Sequence, residues 1–323
     1  MATLEGQTIA GSYKDLLQVS NSNSGVDATA RAVSDGEGTA TLLYLSTTEV
    51  YSPGTGGTSN TAFGKNAGDA LASGGNYNVF IGEEAGTGIT VSDDNVAIGY
   101  NAFFRSTTQA DKNVAIGSNA MSGNNLTADC DSCVVIGYDA LSGTLHTDAD
   151  GTIAIGHQAG KTITSGIGNI AIGYQALDAE DDGDYNTAVG HQALTAQTGT
   201  SGETANTAVG YQSGTAITTG TYNTAIGESS LLSETVGQQT TVVGIDGFGL
   251  QVMDSTEVSG NTGVGAGVGY YNVTGTNNTY LGYHAGLGAS GQSNSNNTAV
   301  GMSAMLAVTT GDRNTAVGKD AFI

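Results

Sequence analysis

Cys130 and Cys133, separated by Asp131 and Ser132, have the spacing of a redox dithiol or of half a zinc site. A zinc site of that kind needs a second ligand pair, and the 323-residue chain has no other cysteine. Two cysteines are too few for a disulfide framework and fit folding in a reducing compartment. Four histidines are present, His146, His157, His191 and His284, and none stands in an H-E-x-x-H pattern. His157 and His191 follow a recurring glycine, in the position that Tyr100, Tyr138, Tyr174, Tyr211 and Tyr283 occupy elsewhere. A flat ring with a polar tip at that position either packs over its neighbours or offers its face to a sugar ring. The five tyrosines are therefore the candidate glycan-contact column. Asp178 to Asp184 is the densest carboxylate run and has the outline of a calcium loop, but Val189 stands where the closing glutamate belongs, so a solvated loop is expected. Glycoside cleavage would need paired carboxylates in a cleft. Glu83, Glu84, Asp93 and Asp94 instead read as loop residues without a fixed column. No nucleophile motif or phosphate loop occurs. No catalytic residue, metal or cofactor is expected.

The composition restricts what could position such groups. Thirty acidic and eight basic residues give a formal net charge of -22, which disfavours nucleic acid and anionic membrane as partners. Glycine supplies 51 residues, proline one, tryptophan none, and aromatics 6%, so a core of large side chains is not available. The glycines follow no Gly-X-Y period. No window approaches the roughly 20 apolar residues of a membrane span, and no basic, then apolar, leader opens the chain.

What positions every candidate residue is a repeat, Asn-(Thr/Val)-Ala-(Ile/Val)-Gly-x-x-Ala. Its anchor glycines are Gly64, Gly82, Gly99, Gly117, Gly137, Gly156, Gly173, Gly190, Gly210, Gly227, Gly244, Gly265, Gly282, Gly301 and Gly318. Spacings run from 17 to 21 residues, and the added residues always fall between the Ala three places after the anchor and the next Asn. One loop absorbs every insertion while a strand stays in register, which is the signature of a solenoid. The residue three before each anchor is β-branched in all fifteen copies, and the residue one before is Ile, Val, Leu or Phe in all fifteen. By the two-residue period of a strand these share a face, which is expected to form buried aliphatic columns. Asn precedes them in twelve copies. Asn95, Asn113, Asn169, Asn186, Asn206 and Asn223 are expected to build an amide ladder from coil to coil. Nine of the fifteen strands carry Thr three before the anchor, an arrangement reminiscent of ice-binding arrays, but a face shared with buried Ile or Val argues against that use.

The expected fold is all-β, a parallel β-solenoid of about fifteen coils over residues 59–323, preceded by a small N-terminal attachment or capping domain (1–50) and a linker (51–58) around Pro53. Within the N-terminal domain, Ala28 to Val33 and Thr41 to Ser46 read as strands around Asp35-Gly36-Glu37-Gly38, and Ser12 to Asp15 as a helix start. The copies at Gly244 and Gly265 are the most divergent, and Phe248 to Val258 is expected to bulge. At roughly 4.8 Å per coil the rod is roughly 70 Å long. A coil of this size and composition encloses little volume, so neighbouring chains are expected to complete its core around a threefold axis.

The segments Asn95 to Ala102 (NVAIGYNA), Asn169 to Ala176 (NIAIGYQA) and Asn186 to Ala193 (NTAVGHQA) resemble the head repeats of trimeric autotransporter adhesins, which are left-handed parallel β-rolls. The chain is still more similar to tailed-phage fibre proteins with Asn-Thr-Ala-x-Gly repeats, over residues 60–323. Residues 7–50, including Thr8 to Leu17 and Val33 to Thr39, also look like the start of such fibres. The resemblance implies a homotrimeric virion fibre, assembled in the host cytoplasm. Its N-terminus would dock on a virion protein, and the rod would space or present a surface for host attachment, for example to a surface glycan. No export signal or membrane anchor is read, unlike in the adhesins. No distinct receptor domain follows the last coil, so the solenoid or a separate capping protein would form the distal end. The alternative is a cell-surface adhesin or an extracellular filament subunit without enzymatic activity.

Overall fold

The computed structural model describes residues 18–19, 31–34, 40–45, 50–51 and 57–323, except 105–109, 124–129, 144–148, 200–201 and 254–257. The first of these form a four-stranded antiparallel sheet in chain order: β1 (Gln18–Val19), β2 (Arg31–Ser34), β3 (Ala40–Leu45) and β4 (Val50–Tyr51). β2 and β3 correspond to the two strands expected there. The intervening turn, the helix start at Ser12 to Asp15 and Pro53 lie outside the described residues.

Beyond them runs one fifteen-stranded parallel sheet whose strands are the fifteen anchor strands, from Thr61–Phe63 to Thr315–Val317. The described residues are all-β without helix, a parallel β-solenoid. Register is uniform: Val96, Ala97 and Ile98 lie over Val114, Ala115 and Ile116, and Thr207, Ala208 and Val209 over Thr224, Ala225 and Ile226. Each strand has three residues and could not persist alone; stacking gives every one a backbone ladder along the axis.

The anchor glycines make the close stacking possible. Their φ angles lie between 122° and 145°, where only glycine sits without strain. A Cβ on Gly137 would stand 2.2 Å from the carbonyl oxygen of Gly156, and one on Gly99 2.6 Å from that of Gly117.

The two faces of the sheet are the reverse of the expectation that branched residues line the core. In the strand Val96–Ile98 it is Ala97 that is wholly buried, while Val96 and Ile98 are half-exposed, and the same pattern recurs along the rod. The cause is the width of the coil. Opposite the strand the chain turns back through the residues three, four and seven places after the anchor, and their side chains fill the interior. Two fillings recur. In the first the fourth residue is glycine and the seventh a buried aliphatic residue, as in Gly86 with Ile89, Gly160 with Ile163 and Gly214 with Ile217, whereas Gly269 is followed at that place by the buried Asn272. Where the fourth is a buried Leu or Phe, the seventh is polar, as in Leu177 with Glu180, Leu194 with Gln197, Leu231 with Glu234 and Phe248 with Gln251. Either way only Ala or a similarly small residue fits on the strand side. Phe80 and Tyr280, the two large aromatics in the Ala position, sit where the facing position is Gly86 or Gly286, whose added Cβ would lie 2.6 Å and 2.4 Å from the respective ring.

Of the segment expected to bulge, Phe248 to Met253 lies within the coil, while Val258 is exposed. Phe248, Gln251 and Met253 are buried inside the coil because they are this rung's interior filling; residues 254–257 lie outside the described set.

Candidate functional site

Three surface features run along the rod, each produced by one position of the repeat. The first is the outward face of the sheet. One column holds Val79, Val96, Val114, Val134, Ile153 and Ile170, then Thr from Thr187 to Thr315; the column beside it holds Ile, Val, Leu or Phe on every rung. These side chains are accessible in the single chain: Val264 is 40% and Leu281 47% exposed, although both lie within the stack and not at its ends. The Thr column also faces outward, so the argument that burial removes it from water does not hold.

The second feature is the aromatic column. Tyr138, His157, Tyr174, His191 and Tyr211 occupy one position on five successive rungs, with centroid separations of 5.4, 5.2, 4.9 and 5.4 Å; the first three contacts are stacked and the last is tilted by 32°. Three of the five tyrosines singled out from the sequence are thus brought together, joined by two histidines. Tyr100 is kept apart by Ser118 on the intervening rung, and Tyr283 stacks instead on its chain neighbour His284, 3.8 Å away. Within the stack the ring faces cover one another, so what reaches solvent is the edges, with the Tyr hydroxyls and His nitrogens. Beside them Gln158, Gln175, Gln192 and Gln212 form a second ladder, each Nε2 donating to the Oε1 of the previous rung at 3.2 to 3.3 Å. The strip offers hydrogen-bond donors and acceptors at the spacing of the rungs.

The third feature departs from the expectation that the carboxylates form no column. Asp93, Asp111, Asp131 and Asp150 stand on four successive rungs, six residues before their anchors. The Oδ1 of each accepts a backbone N–H from the rung before: Asn76 to Asp93 at 2.6 Å, Asp93 to Asp111 at 2.8 Å, Asp111 to Asp131 at 2.6 Å and Asp131 to Asp150 at 2.7 Å. One oxygen of each carboxylate is thereby committed to holding the loop. Counting back from the anchors would have found this column in the sequence.

The Asn ladder lies inside the coil. Asn113 donates its backbone N–H to Asn95 Oδ1 at 2.9 Å, Asn186 to Asn169 at 2.8 Å, Asn206 to Asn186 at 3.0 Å and Asn223 to Asn206 at 2.8 Å. The amide nitrogens mostly reach backbone rather than the next amide, as from Asn169 to Gly183 O at 2.8 Å and from Asn223 to Gly237 O at 2.8 Å. All six are buried, so each satisfies backbone groups that water does not reach.

The acidic run Asp178 to Asp184 does not converge on a point. Asp178 accepts from the Thr195 hydroxyl, Asp181 from the Thr164 hydroxyl and Asp184 from the Ile167 N–H, each at 2.8 Å, while Glu180 turns into the coil. Glu180 Oε1 accepts the N–H groups of Asp181 and Gly183 at 2.9 and 2.8 Å. Burial pushes its carboxyl above the ordinary range, against those two hydrogen bonds. Asp178 is raised chiefly by burial, and Asp182 by burial and the neighbouring charge of Asp181. Glu234 makes the same turn with Thr235 and Gly237, and its Oε2 accepts from Gln251 Nε2 at 2.8 Å. The corresponding atoms Glu180 Oε2 and Gln197 Nε2 are buried without a hydrogen-bond partner among the described residues. No group of three His, Cys, Asp or Glu among the described residues could hold a metal ion, and no helix there is long and apolar enough to cross a membrane.

No family model matches the chain, and neither a curated protein nor a solved structure matches it.

Proposed function

We propose that the chain is a non-enzymatic structural fibre protein of a bacteriophage virion. Three copies, with left-handed coils, pack around a common axis through the outward sheet face, and the N-terminal residues dock on the particle. The observation that supports this reading is the outward orientation of the branched columns. Fifteen successive rungs present Ile, Val, Leu or Phe outside the coil. An apolar stripe of that length is more than a single soluble chain leaves to water, and identical rods laid side by side cover it along its whole length. The likeness of the Asn-x-Ala-x-Gly segments to trimeric fibres and adhesin heads supports three as the number. In this reading the Tyr138 to Tyr211 strip with its Gln ladder is the recognition surface. Ring edges and amides that both donate and accept hydrogen bonds suit a hydroxyl-rich host glycan.

Light scattering on the purified protein is expected to give three times the chain mass, and immunogold labelling to place the protein on virus particles. A monomeric mass ends the lateral-packing reading; labelling absent from particles ends the virion reading. The outward Thr column favours one second reading, an ice-binding face of Thr beside Val, Ile or Leu on eight consecutive rungs from Thr187 to Thr315. Thermal hysteresis in solution would select it, and a face covered by other copies gives none.

A further inference from the structure

The interior position seven before the anchor faces the position four before it, across the bend that enters the strand. In the rung anchored at Gly301 these positions hold Asn294 and Asn297, and the amide of Asn297 donates to Asn294 Oδ1 at 3.1 Å. In the rung anchored at Gly137 they hold Cys130 and Cys133. The fold aims the two thiols at each other in the same way: the sulfurs are 3.0 Å apart and both residues are buried. Bonded sulfurs stand about 2.05 Å apart, so closure requires a movement of about 1 Å. Both sulfurs also point to one backbone acceptor, Ala149 O, at 3.7 Å from Cys130 and 3.2 Å from Cys133.

The place is a gap in the Asn ladder. Cys133 takes the ladder position, donating its N–H to Asn113 Oδ1 at 2.9 Å, but carries no amide oxygen for the next rung, where Thr152 stands. No other cysteine exists in the chain to compete for either sulfur.

We infer that Cys130 and Cys133 are a disulfide-forming pair that closes a clip across this bend. The reaction is thiol–disulfide exchange with a small-molecule disulfide. One cysteine thiolate attacks the reagent and releases one thiol; the second cysteine then attacks the mixed disulfide and releases the other. The two cysteines lose two hydrogens and the reagent gains them as two thiols. Because both sulfurs are enclosed in the finished coil, exchange takes place while the rung is open, and the closed rung then shields the bond from reductant.

The test uses the full-length protein, unfolded and refolded with oxidised glutathione, then alkylated under denaturing conditions and weighed. The expected product lacks two hydrogens, takes up no alkylating group, carries no glutathione and runs as a single chain on a non-reducing gel. After reduction it takes up two alkyl groups on the peptide containing Cys130 and Cys133. Two alkylated thiols without prior reduction, glutathione retained on either cysteine, or a disulfide between chains each overturns the inference. The Cys133→Ser variant under the same conditions is expected to retain glutathione or a thiol on Cys130; a variant that loses its thiol as completely as the parent, without glutathione, also overturns it.

Discussion

Replacing Gly137 by Ala tests how closely the rungs are stacked. The new Cβ would lie 2.2 Å from Gly156 O, and φ at Gly137 is 142°. An unstrained carbon–oxygen contact needs about 3.3 Å, so two rungs must separate locally by about 1 Å. The bonds flanking that point are Gly156 N–H to Ile136 O at 2.8 Å and Gln158 N–H to Tyr138 O at 2.9 Å, and neither survives such a shift. Two lost backbone bonds at about 1 kcal/mol each, with backbone strain of about 1–3 kcal/mol, give about 3–5 kcal/mol. Gly151→Ala is the control. Its φ is also positive, at 67°, but an added Cβ meets nothing within 4 Å, so only the left-handed cost of about 1–2 kcal/mol applies. Urea unfolding followed by far-UV circular dichroism measures both; where refolding is incomplete, the unfolding rate serves instead. The two variants are expected to differ by about 2–3 kcal/mol. Equal destabilisation would refute the claim that glycine is required there by its neighbour rather than by its own backbone angle.

Three further outcomes follow from other parts of the coil. Ile172→Asp places a charge on the outward face and, if the proposed trimer forms through that face, is expected to lower the mass in light scattering to that of one chain, with the β circular dichroism spectrum retained. Asn169→Ala removes the amide that donates to Gly183 O and the acceptor of the Asn186 N–H; a loss of about 2–4 kcal/mol in unfolding free energy is expected. Glu180 is raised above its ordinary value of 4.5 by burial, so the folded state binds its proton more tightly than the unfolded chain does. Its contribution therefore lowers stability as pH rises through the window above 4.5, and Glu180→Gln is expected to flatten the unfolding midpoint across that window.

The anchors, the register and the loop that takes insertions were legible because each is a property of one position repeated down the chain. The side of the sheet that faces inward was not. Val96 and Ile98 read as core by their size, and what excludes them is Phe103 and its counterparts, which arrive from the other side of the coil. A signal was nonetheless present: the large residues Phe80 and Tyr280 in the Ala position coincide with Gly86 and Gly286 six residues later, where other rungs carry Phe103, Met121 or Leu141. The Asp93 to Asp150 column was missed because a loop of variable length looks irregular until it is numbered backward from the anchor. The tyrosines were legible as a column, but only three of them stack, because stacking depends on what the adjacent rung carries at the same position: His157 and His191 continue the pile, whereas Ser118 interrupts it.

The two interior fillings bear on how such a rod could be lengthened or shortened. A rung filled by Gly160 and Ile163 places no polar side chain at these interior positions, and excising one anchor-to-anchor unit of that type strands no buried charge. Glu234 and Gln251, by contrast, join two successive rungs through one buried hydrogen bond. Cutting between them would strand a carboxylate inside the coil, so there the smallest removable piece is the pair. A molecule built this way can be edited as a ruler with two sizes of graduation.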